Sequence, residues 1–130
     1  MSYTAAMFNR RPHDSRIEAN LRLWLLSQSE EQRMDFVKEL WQTNYPFALV
    51  LTQSMQLSKA HIEELLRHWL RSGAHNAASQ LITRMEPMLG ERKFWRIVSE
   101  EPLSPGMRDF INYHSKGRLD AMQPKASSNK

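Results

Sequence analysis

The sequence predicts an all-α protein: two tandem three-helix units with a repeat of about 45 residues, then a closing helix, together a helical-repeat-like bundle. Three observations predict it. Apolar residues recur at helical spacing along the whole body of the chain. Cap residues punctuate those segments at their starts and ends. The phrase LRLWLLS (21–27) also returns as LRHWLRS (66–72), 45 residues later, with five of seven letters unchanged.

The first helix opens on a capping box, Ser15 with Glu18. Ile17, Leu21, Trp24 and Leu25 follow on one face, widened by Leu23 and Leu26, which predicts burial on more than one side. Ser29 with Gln32 is a second capping box. It opens a helix with Met34, Val37, Leu40 and Trp41 inward, stopped by Asn44 and Pro46. Pro46 then suits the first turn of a third helix, from Phe47 to about Met55. FALVL reads equally well as a short buried strand, but FWRIV stands in the same slot of the second half at helical spacing, so both are assigned to helices. Ser58 caps the next helix, with Ile62, Leu65, Leu66 and Trp69 inward, ended by Gly73. Asn76 caps another, with Leu81, Ile82 and Met85 inward, ended by Pro87. Ser104-Pro105 starts the closing helix, which carries Met107, Phe110 and Ile111 and stops at Gly117.

The repeated phrase then marks the same helix in each unit. Its Leu and Trp face the core, its Arg points away, and its Ser falls at the helix end. Units of this length stack because none buries its apolar face alone. The expected organisation is a flexible basic arm (1–14), one helical domain (15–117, with units 15–57 and 58–103 and the closing helix 104–117) and a disordered tail (118–130).

The formal charge of +4 comes from the ends: +2 over residues 1–16 and +3 over 115–130, leaving the body at −1. Cysteine is absent, which excludes a disulfide framework and a thiolate site. No apolar run follows Met1 and none is long enough to span a bilayer, so the expectation is a cytoplasmic protein with no signal peptide and no membrane partner.

Catalytic and metal chemistry find little support. His61, Glu64 and His68 share one helix flank, but no further ligand is dictated and the first unit has no counterpart, so the flank reads as the polar border of an amphipathic helix. The acid pairs Glu30-Glu31, Glu63-Glu64 and Glu100-Glu101 consist of adjacent residues, which point about 100° apart on a helix and so do not converge on one substrate atom. No phosphate loop or nucleophile motif is present. The expectation is a non-enzyme without cofactor.

The leading functional reading is a helical interaction module, an adaptor or regulatory protein that binds another protein; a homodimer is compatible with it. Twelve Arg against six Lys, together with eight Met, suit an interface. The candidate partner-binding residues are Arg67, Arg71, Arg92 and Arg96. The alternative is a nucleic-acid-binding regulator that uses a helix-turn-helix-like pair at residues 59–86 and the basic arm. Its candidates are Asn76, Gln80 and Arg84, which are residue types that read base edges, with Arg10 and Arg11. Glu30, Glu31, Asp35 and Glu39 would repel phosphate, so only the second half could serve.

Overall fold

The structure, a computed structural model, describes residues 3–8, 15–72 and 74–122. Within these the protein is all-helical, with seven α-helices and no strand. The chain resolves into two compact units, Met1–Ile62 and Glu63–Lys130, and the division falls inside the helix that Ser58 opens. Arg10, Arg11, Gly73 and residues 123–130 lie outside the described residues.

The first unit begins with a 3₁₀ turn, Ala5–Phe8, in the segment expected to be a flexible arm. Apolar burial explains the difference. Phe8 is buried between Phe36 and Phe47, with ring centroids 6.5 and 5.9 Å away. Its carbonyl accepts a hydrogen bond from Asn44 Nδ2 at 2.9 Å.

Helix α1 (Ser15–Leu26) packs on α2 (Glu30–Ser54). Only Leu21 and Leu25 of α1 are buried. Ile17 and Leu23 are exposed and Trp24 is half-buried, so the broad inward face expected from the sequence is narrow. The capping box at Ser29 is present in both directions, Gln32 N–H to Ser29 Oγ at 3.1 Å and Ser29 N–H to Gln32 Oε1 at 3.1 Å. Asn44 leaves helical geometry (φ −153°, ψ 68°), so α2 is two helices joined across a kink at the point where the sequence places a stop and a new start. Its Oδ1 accepts from Phe47 N–H at 3.3 Å, so Asn44 acts as an internal N-cap, and Pro46 sits in the first turn beyond it, where its missing N–H costs nothing. FALVL is therefore helical, as expected. Arg33 ties the ends together: Nε donates to the carbonyls of Leu25 (3.1 Å) and Gln28 (3.3 Å), and Nη1 to that of Met55 (2.8 Å).

Helix α3 (Lys59–Arg71) spans the division between units. Ser58 caps it as expected, its Oγ accepting from His61 N–H at 3.3 Å. Leu65, Leu66, Trp69 and Leu70 are fully buried.

In the second unit a 3₁₀ turn, His75–Ala77, leads into α4 (Ala78–Leu89). Asn76 lies in that turn and is not the cap; the tighter backbone bonds of the turn take over the task, Ala77 N–H reaching the Ala74 carbonyl at 2.9 Å. Pro87 does not end α4. It lies in the last turn, and Gly90 breaks the helix with φ 92°, a conformation that favours glycine. Helix α5 (Glu91–Glu100) buries Phe94, Trp95, Ile97 and Val98. Ser104 caps α6 (Pro105–His114), its Oγ accepting from Met107 N–H at 3.2 Å, with Pro105 leading as expected. The closing helix stops at His114, before Gly117.

A further helix, α7 (Arg118–Met122), forms where a disordered tail was expected. Leu119 is fully buried, Asp120 binds Arg108 (3.1 Å) and Asn112 (2.7 Å), and the Arg118 guanidinium lies 4.9 Å from the Trp95 ring centroid. Burial of one leucine with paired charges orders a stretch whose composition reads as polar.

Candidate functional site

Arg67 and Arg71, expected to face a partner, are tied within the second unit. Glu101 bridges them: its carboxylate, 4% exposed, accepts from Arg67 Nη1 and from Arg71 Nε, each at 2.6 Å. Arg67 also reaches Glu100 (3.0 Å) and Glu63 (3.2 Å), and Lys93 reaches Glu63 (3.3 Å). Burial would raise the Glu101 pKa, but the hydrogen bonds from Arg71 and Arg67 outweigh it and hold the carboxyl below its ordinary range. The hydrogen bond to Glu101 in turn holds Arg67 still more firmly protonated. This network joins α3 to the end of α5. Arg92 and Arg96, one turn apart on α5, are exposed and have no side-chain partner among the described residues.

The alternative set lies on the turn before α4 and on α4 itself. Asn76 is exposed, whereas Gln80 and Arg84 are half-buried, and both Asn76 and Arg84 make interactions of their own.

Adjacent acids meet on one side chain, though on different atoms of it. Glu30 approaches His61 Nδ1 at 2.7 Å and Glu31 approaches Nε2 at 3.2 Å, so neighbouring carboxylates grip opposite edges of one imidazole. Glu100 and Glu101 do the same to the Arg67 fork. A planar cation with separated nitrogens accommodates two carboxylates that point apart. The Ser58 N–H, which donates to Glu30, and the His61 imidazole hold the Glu30 pKa down at about 2. The hydrogen bond to Glu30 raises His61 above its ordinary 6.5. Among the described residues no group of His, Cys, Asp or Glu is arranged to hold a metal ion, and no helix is long and apolar enough to cross a membrane.

The site that sequence reasoning missed is in the first unit. A cleft of about 330 Å³ opens between the N-terminal segment, α1 and the face of α2 that carries Phe36. Trp24 lies at its centre. Its ring meets Tyr3 (centroids 5.6 Å, planes 66° apart) and Phe36 (6.2 Å, 67°), so the three rings are angled into walls instead of being stacked. Gln28 holds the rim beside Trp24, its Nε2 donating to the Trp24 carbonyl at 3.4 Å and to Ser27 Oγ at 3.0 Å. Asp35 and Glu39, one turn apart on α2, supply two exposed carboxylates, and neither has an ion-pair partner among the described residues. Among the described residues no Lys, Arg or His lines the cleft. The only advance signal was the spacing of Gln32, Asp35, Phe36 and Glu39 on one side of α2. Nothing in the letters separated Trp24 from Trp69.

The second unit carries an aromatic patch on α6, where Asp109, Phe110, Tyr113 and His114 line a concavity of about 390 Å³. Phe110 and His75 meet edge to face at 4.8 Å, and Tyr113 is 79% exposed. Comparison with protein-family models, with curated proteins and with solved structures gave no match.

Proposed function

We propose that this protein is a non-enzymatic helical interaction module, an adaptor or regulatory protein that binds another protein. The observation that carries the reading is Trp24, a large aromatic side chain left partly exposed in the wall of a preformed cleft. Interface energy concentrates in such aromatic anchors, seated in pockets and ringed by polar groups. The binding site therefore moves from the arginines of α3 to the first unit, while Arg92 and Arg96 remain available on α5.

The reading includes a tandem duplication. Its support lies in the two copies of the repeated phrase. Leu21 and Leu66 are both buried, as are Leu25 and Leu70. Ser27 and Ser72 each close their helix by donating to a tryptophan carbonyl, at 2.5 and 2.7 Å. Arg22 and Arg67 are both half-buried and tethered, Arg22 Nε to Ser54 Oγ at 3.3 Å. On this reading Trp24 is the copy that took on binding while Trp69 kept the core.

The test is capture from the source lysate with tagged full-length chain, with and without nuclease, comparing wild type, Trp24→Ala and Tyr113→Ala. A discrete, nuclease-resistant protein retained by Tyr113→Ala and lost by Trp24→Ala is the expected result. A partner set that collapses with nuclease, or one indifferent to Trp24, overturns the reading.

A further inference from the structure

We infer that the Trp24 cleft recognises a cation: the side chain of an arginine or lysine in an exposed basic segment of the partner protein. This inference rests on the interaction reading above and adds the chemistry of the ligand. Three features converge on it. First, the walls are aromatic and angled, and the negative face of an indole is the most attractive ring surface for an ammonium or guanidinium group. Second, the rim carries Asp35 and Glu39, two exposed carboxylates without ion-pair partners among the described residues, none of which brings a cation to the cleft. Most acids elsewhere in the described structure are engaged: Glu30 and Glu31 by His61, Glu63, Glu100 and Glu101 by Arg67, Glu86 by the Trp95 indole, Glu91 by Arg118, and Asp120 by Arg108. Asp109 on α6 is also exposed without an ion pair among the described residues, but Asp35 and Glu39 stand as an open pair one turn apart, beside the cleft that Trp24 lines. Third, a volume of about 330 Å³ is at the low end for a small-molecule pocket, which fits one side chain entering from an extended peptide and not a whole helix.

The same features select against other occupants. A phosphate or nucleic-acid backbone meets two carboxylates and no base among the described lining residues. An aliphatic anchor leaves both carboxylates without a role. Guanidinium suits the site better than ammonium, because its plane stacks on a ring while its edge reaches a carboxylate in two places.

The experiment uses full-length protein and short capped peptides, Gly-Gly-X-Gly-Gly, with X as arginine, lysine or citrulline. Citrulline keeps the shape of arginine and removes the charge. Binding is read from the indole N–H resonance of Trp24 in proton–nitrogen NMR, assigned with Trp24→Phe. The arginine peptide is expected to shift that resonance saturably in the millimolar range. The citrulline peptide is expected to bind about tenfold or more weakly, consistent with a cation–π contact reinforced by carboxylates. The double variant Asp35→Asn, Glu39→Gln alters only exposed side chains, so it tests the charge requirement even if Trp24→Ala unfolds. It should weaken the arginine peptide about tenfold and flatten its salt dependence.

Equal binding of the citrulline peptide overturns the cation inference. So does an unshifted Trp24 resonance with every peptide; if Trp24→Ala still loses the captured partner in that case, the protein-binding reading stands and only the ligand chemistry falls. If Arg10→Gln, Arg11→Gln moves the Trp24 resonance and tightens peptide binding, the chain's own arm is the occupant and the partner assignment fails. A dimer in sedimentation that Trp24→Ala dissociates would make a second copy the occupant, with the same consequence.

Discussion

Replacing Trp69 and Trp24 separately by alanine should give unequal losses of stability, although the two residues occupy the same position in LRxWLxS. Trp69 is 0% exposed, so its removal deletes the whole indole from a packed site and leaves a cavity, at a cost of about 3–5 kcal/mol. Trp24 is half-buried, with Tyr3 and Phe36 against its ring. At most about a third of a side chain worth ~200 Å² is wet, so at least roughly 130 Å² is covered, worth about 3 kcal/mol or more at ~25 cal/mol/Å². A loss of about 2–3 kcal/mol is expected, because the neighbouring rings can close in on the space left behind. The assay is urea denaturation followed by far-UV circular dichroism, reading the transition of the unit that holds each residue. At roughly 3–5 °C per kcal/mol, the matching thermal shifts are about 10–25 °C for Trp69→Ala and about 6–15 °C for Trp24→Ala. Equal losses would make Trp24 a core residue and remove the argument for the cleft. A loss below about 1 kcal/mol at Trp69 would refute its burial.

Reversing Arg67 to Glu should cost about 2–3 kcal/mol in a thermal or urea melt, because Glu101 is nearly buried and keeps only Arg71; reversing the exposed Arg92 and Arg96 together should change stability by less than about 0.5 kcal/mol, and a loss as large as that of Arg67→Glu would refute their assignment as free. The His61 clasp should give a pH-dependent difference between wild type and His61→Gln. His61 is raised by Glu30, so its contribution is complete below about pH 6.5 and is lost as pH rises through the raised value. Glu30, held at about 2, contributes above about pH 4.5 and loses that contribution as pH falls toward 2. The difference in melting temperature is therefore largest between about pH 4.5 and 6.5, and a flat profile from pH 5 to 9 would contradict the geometry. Gly90→Ala should destabilise by about 1–2 kcal/mol in urea melts. A Cβ there meets nothing within 4 Å, so the whole cost is the left-handed backbone at φ 92°; an unchanged midpoint would mean that this turn relaxes freely.

Most helix starts were legible because caps are local. Ser29, Ser58 and Ser104 each accept from a backbone N–H three residues ahead, as their spacing implied. Helix stops were less legible. Proline was read as a terminator at position 87, yet Pro87 lies inside the last turn of α4. Asn44 does interrupt the helix and Pro46 does open the next stretch; what the letters left out is that the two stretches join directly across a kink, held by what the Asn44 side chain reaches at Phe8 and Phe47. The candidate site was hardly legible. Arg67 and Arg71 looked available because no local signal pairs them with Glu101, thirty or more residues away.

The sequence by itself determined the helical class, the order of the helices and most of the residues they bury, because a 3.6-residue period and a cap hydrogen bond are properties of a few neighbouring residues. It did not determine which tryptophan is covered, which arginines are paired or where carboxylates stay open. Those depend on contacts between segments far apart in the chain. Phe8 comes back onto α2, Tyr3 onto Trp24 of α1, and Glu101 reaches α3. Identical letters in LRLWLLS and LRHWLRS thus become a partly exposed anchor in one place and a sealed core in the other.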